Sequence, residues 1–237
     1  MIAVAMDKDL LDDAERREAL VLGDGPRIGP LEMDTVTQEL SPIIERMIEV
    51  NSTLQSRERG ALSALMSGHS SGAAAAEIAA QVAALPEVVR TMVRHPELFA
   101  RQLDVGLFLL SQGALERRDR ELAILRIGWL CQAPYEWGEH VIVAKKLGIA
   151  SEEIERITLG SQAPGWSEHE RAILRATEEL HADAMISDET WTSLLKTLDE
   201  KQLIELPILI GQYQTVAYYQ NSLRLRLQGG NLGLKAR

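Results

Sequence analysis

Glu136 and His140 stand four residues apart in the stretch CQAPYEWGEHVIVAKKLG (131–148), with Tyr135 and Trp137 beside them. On a helix, a carboxylate and an imidazole at i and i+4 share one face. An imidazole changes charge near neutral pH, and a neighbouring carboxylate favours its protonated form. Such a pair can give and take a proton, with His140 as a general acid. The bland alternative is an exposed helix contact worth about 0.2–0.5 kcal/mol.

Five other residues could act with the pair. Arg126 sits in an otherwise apolar run. A buried arginine needs a partner, which is either a structural glutamate or a substrate carboxylate gripped by two N–H groups. Cys131 is a buried core thiol or a reactive thiolate facing the positive start of the next helix. Tyr213 is a core tyrosine or a pocket wall. Tyr135 and Trp137 would wall the same pocket. His69, His95, His169 and His181 show no metal-ligand spacing, and Glu136 with His140 offers two ligands without a visible third. No metal site is expected. No glycine-rich phosphate loop or dinucleotide fingerprint is present, and no cofactor is expected.

These side chains need rigid supports. From Arg117 to Leu130, the residues Leu122, Ile124, Leu125, Ile127 and Trp129 predict a strongly buried helix. Pro134 ends the connection and suits the first position of the next helix. Gly148 then suits its C′ position. Ser151 caps a short helix to about Leu159. Ser167 with Glu170 reads as a capping box, and Asp199 with Gln202 as a second. Between them Ser187 opens a helix through Trp191. The last helix runs to about Leu225 across Pro207. Its near-continuous Leu203, Ile204, Leu206, Ile208, Leu209 and Ile210 predict burial on every side.

Upstream, residues 1–25 are acidic and read as a short helix on a poorly anchored arm, leaving 26–237 as the main domain. Asp34 can cap a helix to about Val50. Residues 57–83 are Ala-rich with Gly and Ser breaks, a loose surface helix or an insertion. A helix begins near Pro86 and ends near His95, and another spans 97–112. No stretch alternates as a strand does, so the fold class is all-α, with about eight to ten helices.

The 237 residues suit one large domain or two small ones. Hydrophobic residues make up 46% of the chain, enough for a substantial core, and the low aromatic content with much Ala, Leu, Glu and Arg favours helix. The net charge of −10 argues against nucleic acid and anionic membranes as partners. A single cysteine excludes an intramolecular disulfide. No apolar run approaches a membrane span, and the N-terminus lacks a signal peptide's pattern. A cytoplasmic location is the expectation.

The run ELAILRIGW followed by APYEWGEHVIVAKKLGI resembles the carboxymuconolactone decarboxylase family, part of the alkylhydroperoxidase D-like superfamily. PRIGPL (26–31), VVRTMVRHPEL (88–98), SEHERAILRATEELH (167–181) and LIELPILIGQYQTVAYYQNSL (203–223) extend the likeness over about 26–225. The resemblance implies an alkylhydroperoxidase D-like helical fold and a homo-oligomer: dimer, trimer or hexamer. It also implies a cofactor-free lyase or isomerase working on a small carboxylated or lactone molecule. Glu136 and His140 would exchange the proton and Arg126 would hold an anionic group. The peroxidase branch carries C-x-x-C-x-x-x-H. Anchored on His140, its cysteines fall at Ala133 and Glu136, so a two-cysteine cycle cannot run in this chain alone. A single-cysteine thiol peroxidase using Cys131 is the second reading. A non-catalytic helical oligomer or ligand-binding subunit is the third.

Overall fold

The structure, a computed structural model, describes residues 8–32, 35 and 87–237. The expected helix from Asp34 to Val50, the Ala-rich segment 57–83 and the helix start at Pro86 lie outside the described residues. Among the described residues every regular element is helical. In chain order these are α1 (Lys8–Leu22), α2 (Glu87–Met92), α3 (Pro96–Ser111), α4 (Arg117–Leu130), α5 (Pro134–Lys146), α6 (Ser151–Leu159), α7 (Glu168–Asp183), α8 (Asp188–Leu194) and α9 (Glu200–Leu223). A 3₁₀ turn, Gly233–Lys235, follows. No helix among the described residues is long and apolar enough to cross a membrane.

The chain divides into two compact units, residues 1–27 with 114–237 and residues 28–113. In the 28–113 unit, α2 and α3 bury Val93, Phe99 and Leu109, and Arg90 and Arg94 donate to the carbonyls of Leu31 and Gly29.

In the larger unit α4 is central, packed by α5, α6, α7 and α9. Its apolar run buries Leu122, Ala123, Ile124, Leu125 and Ile127 almost completely. Each large aliphatic side chain so buried contributes about 1.5–3 kcal/mol. The charged residues Asp119, Glu121 and Arg126 of the same helix are buried too. A central helix has no wet side, so its polar groups must find partners inside.

The caps form as their local chemistry dictates. Ser167 Oγ accepts the Glu170 N–H and the Glu170 carboxylate accepts the Ser167 N–H. Asp199 and Gln202 do the same at α9, and Ser187 caps α8. At α6 the cap position is Ala150 rather than Ser151, and the Glu153 carboxylate accepts the Ala150 N–H at 3.0 Å.

Helix α9 runs alongside α4 in the same direction. At one end Glu205 accepts the Ala114 and Leu115 N–H groups, and at the other Asn221 donates to the Cys131 carbonyl. Leu203, Leu206, Leu209, Ile210, Tyr213 and Ala217 are buried, whereas Ile204, Ile208 and Tyr218 are exposed. Within a single chain the helix is therefore not covered on every side. Helix α1 is no loose arm. Ala14 and Val21 are buried, Glu18 accepts the Leu234 N–H at 2.8 Å, and Arg226 donates to the Leu22 carbonyl at 2.9 Å.

Candidate active site

The connection between α4 and α5 is three residues long, and its geometry aims the second helix. Ala133 N–H reaches back to the Gly128 carbonyl at 3.0 Å, and Gln132 N–H to the Trp129 carbonyl at 2.9 Å. These two bonds form a Schellman motif. Gln132 takes the left-handed position with φ of 47°. Pro134, with its φ preset, starts α5 at once. The far end repeats the motif: Ile149 N–H bonds the Ala144 carbonyl and Gly148 N–H the Lys145 carbonyl, with Gly148 at φ 86°. A residue with a side chain is strained in that region.

Placed this way, the first turns of α5 lay Glu136 and His140 against α4. Glu136 is only 4% exposed. His140 Nε2 lies 3.2 Å from Glu136 Oε1, at ion-pair distance, although that oxygen has no hydrogen-bond partner. On its other side His140 Nδ1 lies 2.7 Å from Glu121 Oε2. Glu121 is fully buried, and the Arg120 guanidinium stands 3.7 Å from its second oxygen. One imidazole is thus held between two buried carboxylates from two helices. Burial lowers the imidazole's pKa, but Glu121 and Glu136 outweigh it and raise the midpoint to about 10. The ring is an imidazolium at neutral pH.

Tyr213, from α9, packs its ring edge-on against His140 with centroids 5.0 Å apart. Burial, then the charges of Glu136 and Glu121, hold its hydroxyl protonated well above its ordinary range. The structure therefore brings Glu136, His140 and Tyr213 together and adds Glu121.

Sequence reasoning missed Glu121 because the run was read from its aliphatic residues, and a single carboxylate in a buried helix carries no local sign of the partner it will meet. What could have found it was helical spacing. Glu121, Leu125 and Gly128 share one face of α4, and Gly128 abuts the Glu136 side chain and the Trp137 backbone. A carboxylate on the face that meets the next helix cannot be solvated.

The remaining expectations divide. Trp137 is fully buried, packs against Trp129 at a 57° tilt with centroids 4.9 Å apart, and donates from Nε1 to the Ala236 carbonyl at 3.0 Å. It is a core side chain, not a pocket wall. Tyr135 is also buried.

Arg126 is not free to bind a substrate. Its Nε donates to Glu178 Oε1 at 2.9 Å, and its Nη1 donates to the Ile157 and Thr158 carbonyls at 2.9 and 3.0 Å. The guanidinium closes the end of α6 against α7. Any side chain at Gly160, whose φ is 89°, would overlap both Arg126 and Glu178. Of its two roles, the structural pair is the one realised.

Cys131 is half-buried, and its carbonyl accepts from Asn221 at 3.2 Å. Burial pushes its thiol up to about 11, with Glu136 adding to the shift and Arg17 opposing it. It is a thiol at neutral pH, not the thiolate that redox chemistry needs.

Comparison with known proteins bears on the fold. Residues 96–179 match the model of the carboxymuconolactone decarboxylase family. No curated protein matches the chain. Three solved structures share the fold. A debrominase, as a cysteine-to-alanine variant in complex with 2,3,4-tribromopyrrole, is 14% identical with a TM-score of 0.58, covering 88% of this chain and 95% of that one. An alkylhydroperoxidase AhpD core protein from Ralstonia eutropha, uncharacterized and peroxidase-related, is 14% identical with a TM-score of 0.55, covering 65% and 82%. An AhpD-type protein of unknown function from Agrobacterium tumefaciens is 20% identical with a TM-score of 0.53, covering 56% and 92%. Identities this low speak for fold alone. Residues 96–179 thus match the carboxymuconolactone decarboxylase family model, and the chain has an all-α fold like that of the alkylhydroperoxidase D-like structures.

Proposed function

We propose that the protein is a cofactor-free acid/base enzyme, a lyase or isomerase that acts on a small carboxylated or lactone substrate. One observation carries the reading: the His140 imidazolium, itself only partly exposed, is clamped between the buried carboxylates of Glu121 and Glu136. A surface helix pair would not need a second, fully buried carboxylate. Glu121 holds the Nδ1 proton and balances the ring's charge, which leaves Nε2 to carry the mobile proton.

In the decarboxylating form, the bond from the substrate carbon to its carboxylate breaks. Carbon dioxide leaves, and the electron pair stays on the substrate as an enolate-type anion. The Nε2 proton of His140 goes to that anion, and solvent restores it. In the isomerising form Glu136 takes a proton from one carbon and His140 returns one to another. In both, the imidazolium faces the charge that develops. Tyr213 holds the ring in place.

The partner is a small molecule. A homo-oligomer is part of the same reading, supported by the exposed Ile204, Ile208 and Tyr218 along α9. Peroxidase chemistry at Cys131 has less support, because its thiol stays protonated at neutral pH.

The test is turnover of carboxylated lactones by the purified protein. Glu136→Gln and His140→Ala should each abolish it. If both retain wild-type turnover, the assignment fails.

A further inference from the structure

We infer that the segment 231–237 positions Glu136 against His140, which makes Asn231 and Trp137 positioning residues of the active site. The inference deepens the acid/base reading and rests on it for the meaning of Glu136.

Glu136 lies in the first turn of α5. That turn begins at Ala133, which offers no side-chain cap, and a missing cap typically weakens a helix start by about 1 kcal/mol. The Glu136 Oε1 that faces His140 makes no hydrogen bond of its own. Its place therefore depends on the backbone that carries it as well as on its ion pair with His140, 3.2 Å away.

The turn is held at the Tyr135 backbone before Glu136 and by the Trp137 and Glu139 side chains after it. Asn231 Nδ2 donates to the Tyr135 carbonyl and to Glu139 Oε1, each at 2.9 Å. Trp137 Nε1 donates to the Ala236 carbonyl at 3.0 Å. The Arg237 guanidinium lies over the Trp129 and Trp137 rings, 5.0 and 5.5 Å from their centroids, and pairs with Glu155. Residues 135, 137 and 139 are thus all held by one short segment.

The fit is close. Any side chain at Gly138 would overlap Asn231 Oδ1, so glycine is what lets the segment approach the helix. The amide of Asn231 has a consistent orientation, because Oδ1 accepts the Gly233 N–H at 2.8 Å while Nδ2 serves the acceptors on α5. The segment is in turn fixed to α1, where Glu18 accepts the Leu234 N–H at 2.8 Å. A chain of contacts therefore runs from α1 through 231–237 to the turn bearing Glu136.

The variants are Asn231→Ala, Gly138→Ala and Trp137→Phe in the full chain, each checked for wild-type helix content by circular dichroism. His140 is followed by NMR titration of its labelled imidazole, which faces Glu121 on α4, Glu136 on α5, Tyr213 on α9 and the nearby Arg120. Displacing Glu136 removes one of the two charges that hold the imidazolium, so the midpoint should fall by about one unit or more. With a carboxylated lactone that the wild type turns over, kcat should fall on the order of tenfold and KM should stay within about twofold.

Folded Asn231→Ala with wild-type titration and kcat overturns the proposal, as does a change confined to KM. If Asn231→Ala does not fold, Gly138→Ala and Trp137→Phe decide by the same readouts. Glu136→Gln separates the two ideas. Full turnover in that variant defeats the acid/base reading, while the NMR midpoints still decide whether 231–237 positions Glu136.

Discussion

His140 Nδ1 and Glu121 Oε2 lie 2.7 Å apart across the α4–α5 junction, although nineteen positions separate the two residues in the chain. The contact assigns the two ring nitrogens different tasks. Nδ1 is committed to a buried carboxylate, and Nε2 faces Glu136. A ring tied at one nitrogen cannot rotate freely, so the other nitrogen points in a fixed direction.

Replacing Glu121 with Gln should therefore do more than weaken a contact. It removes the larger of the two carboxylate influences on the imidazolium while keeping the side chain's shape. The His140 midpoint should fall toward its ordinary value, and turnover should drop on the order of 100-fold or more. NMR titration and kcat measured on one preparation check both. An unchanged midpoint would show that Glu121 does not hold the proton.

Stability should depend on pH through the same ring. The folded-state midpoint of His140 is raised from 6.5 to about 10. A group raised on folding contributes stability that is complete below its unfolded midpoint and is lost as pH rises through the folded one. Urea midpoints of the wild type should fall between about pH 7 and 10.5 by more than those of His140→Gln, which lacks the group. Parallel curves for the two proteins would contradict this.

Arg126→Ala should act on stability rather than on substrate binding. It leaves Glu178 and the Ile157 and Thr158 carbonyls without their cation. Because Glu178 is partly exposed and keeps its Ser161 donors, the loss should be about 1–3 kcal/mol, while KM should stay close to wild type. Denaturant unfolding and steady-state kinetics together test this. A variant of wild-type stability with a large rise in KM would return Arg126 to the substrate.

Cys131 should alkylate slowly in the folded protein at neutral pH and faster as pH approaches its raised midpoint of about 11. Unfolding in urea should restore ordinary thiol reactivity. Cys131→Ser should leave acid/base turnover close to wild type. Rapid modification of the native protein at neutral pH would revive the peroxidase reading.

Much of this arrangement is legible in the order of residues. The capping pairs Ser167 with Glu170 and Asp199 with Gln202, the helix start at Pro134 and the C′ role of Gly148 all form as read. Each depends on residues within four positions of one another, and such short-range geometry is written into the local sequence. Glu136 and His140 share a helix face for the same reason. Helix α9 marks where local pattern stops informing: a nearly continuous apolar run looks the same whether one flank is covered or bare, and Ile204 and Ile208 are bare.

Which polar groups lose their water is a matter of packing between distant segments. Glu121, Arg126 and Glu136 are ordinary charged residues along the chain and become buried groups with set partners when α4 is enclosed by α5, α6, α7 and α9. The partners lie far apart: Glu178 is 52 positions from Arg126, and Asn231 is 96 from Tyr135. Local propensity carries no record of such distances. Short-range chemistry set the helices, their ends and the proton-bearing pair on α5. Packing determined that His140 has a second carboxylate, that Arg126 is spent on structure, and that the turn holding Glu136 is gripped by 231–237, because a buried charge takes its role from whatever the fold places beside it.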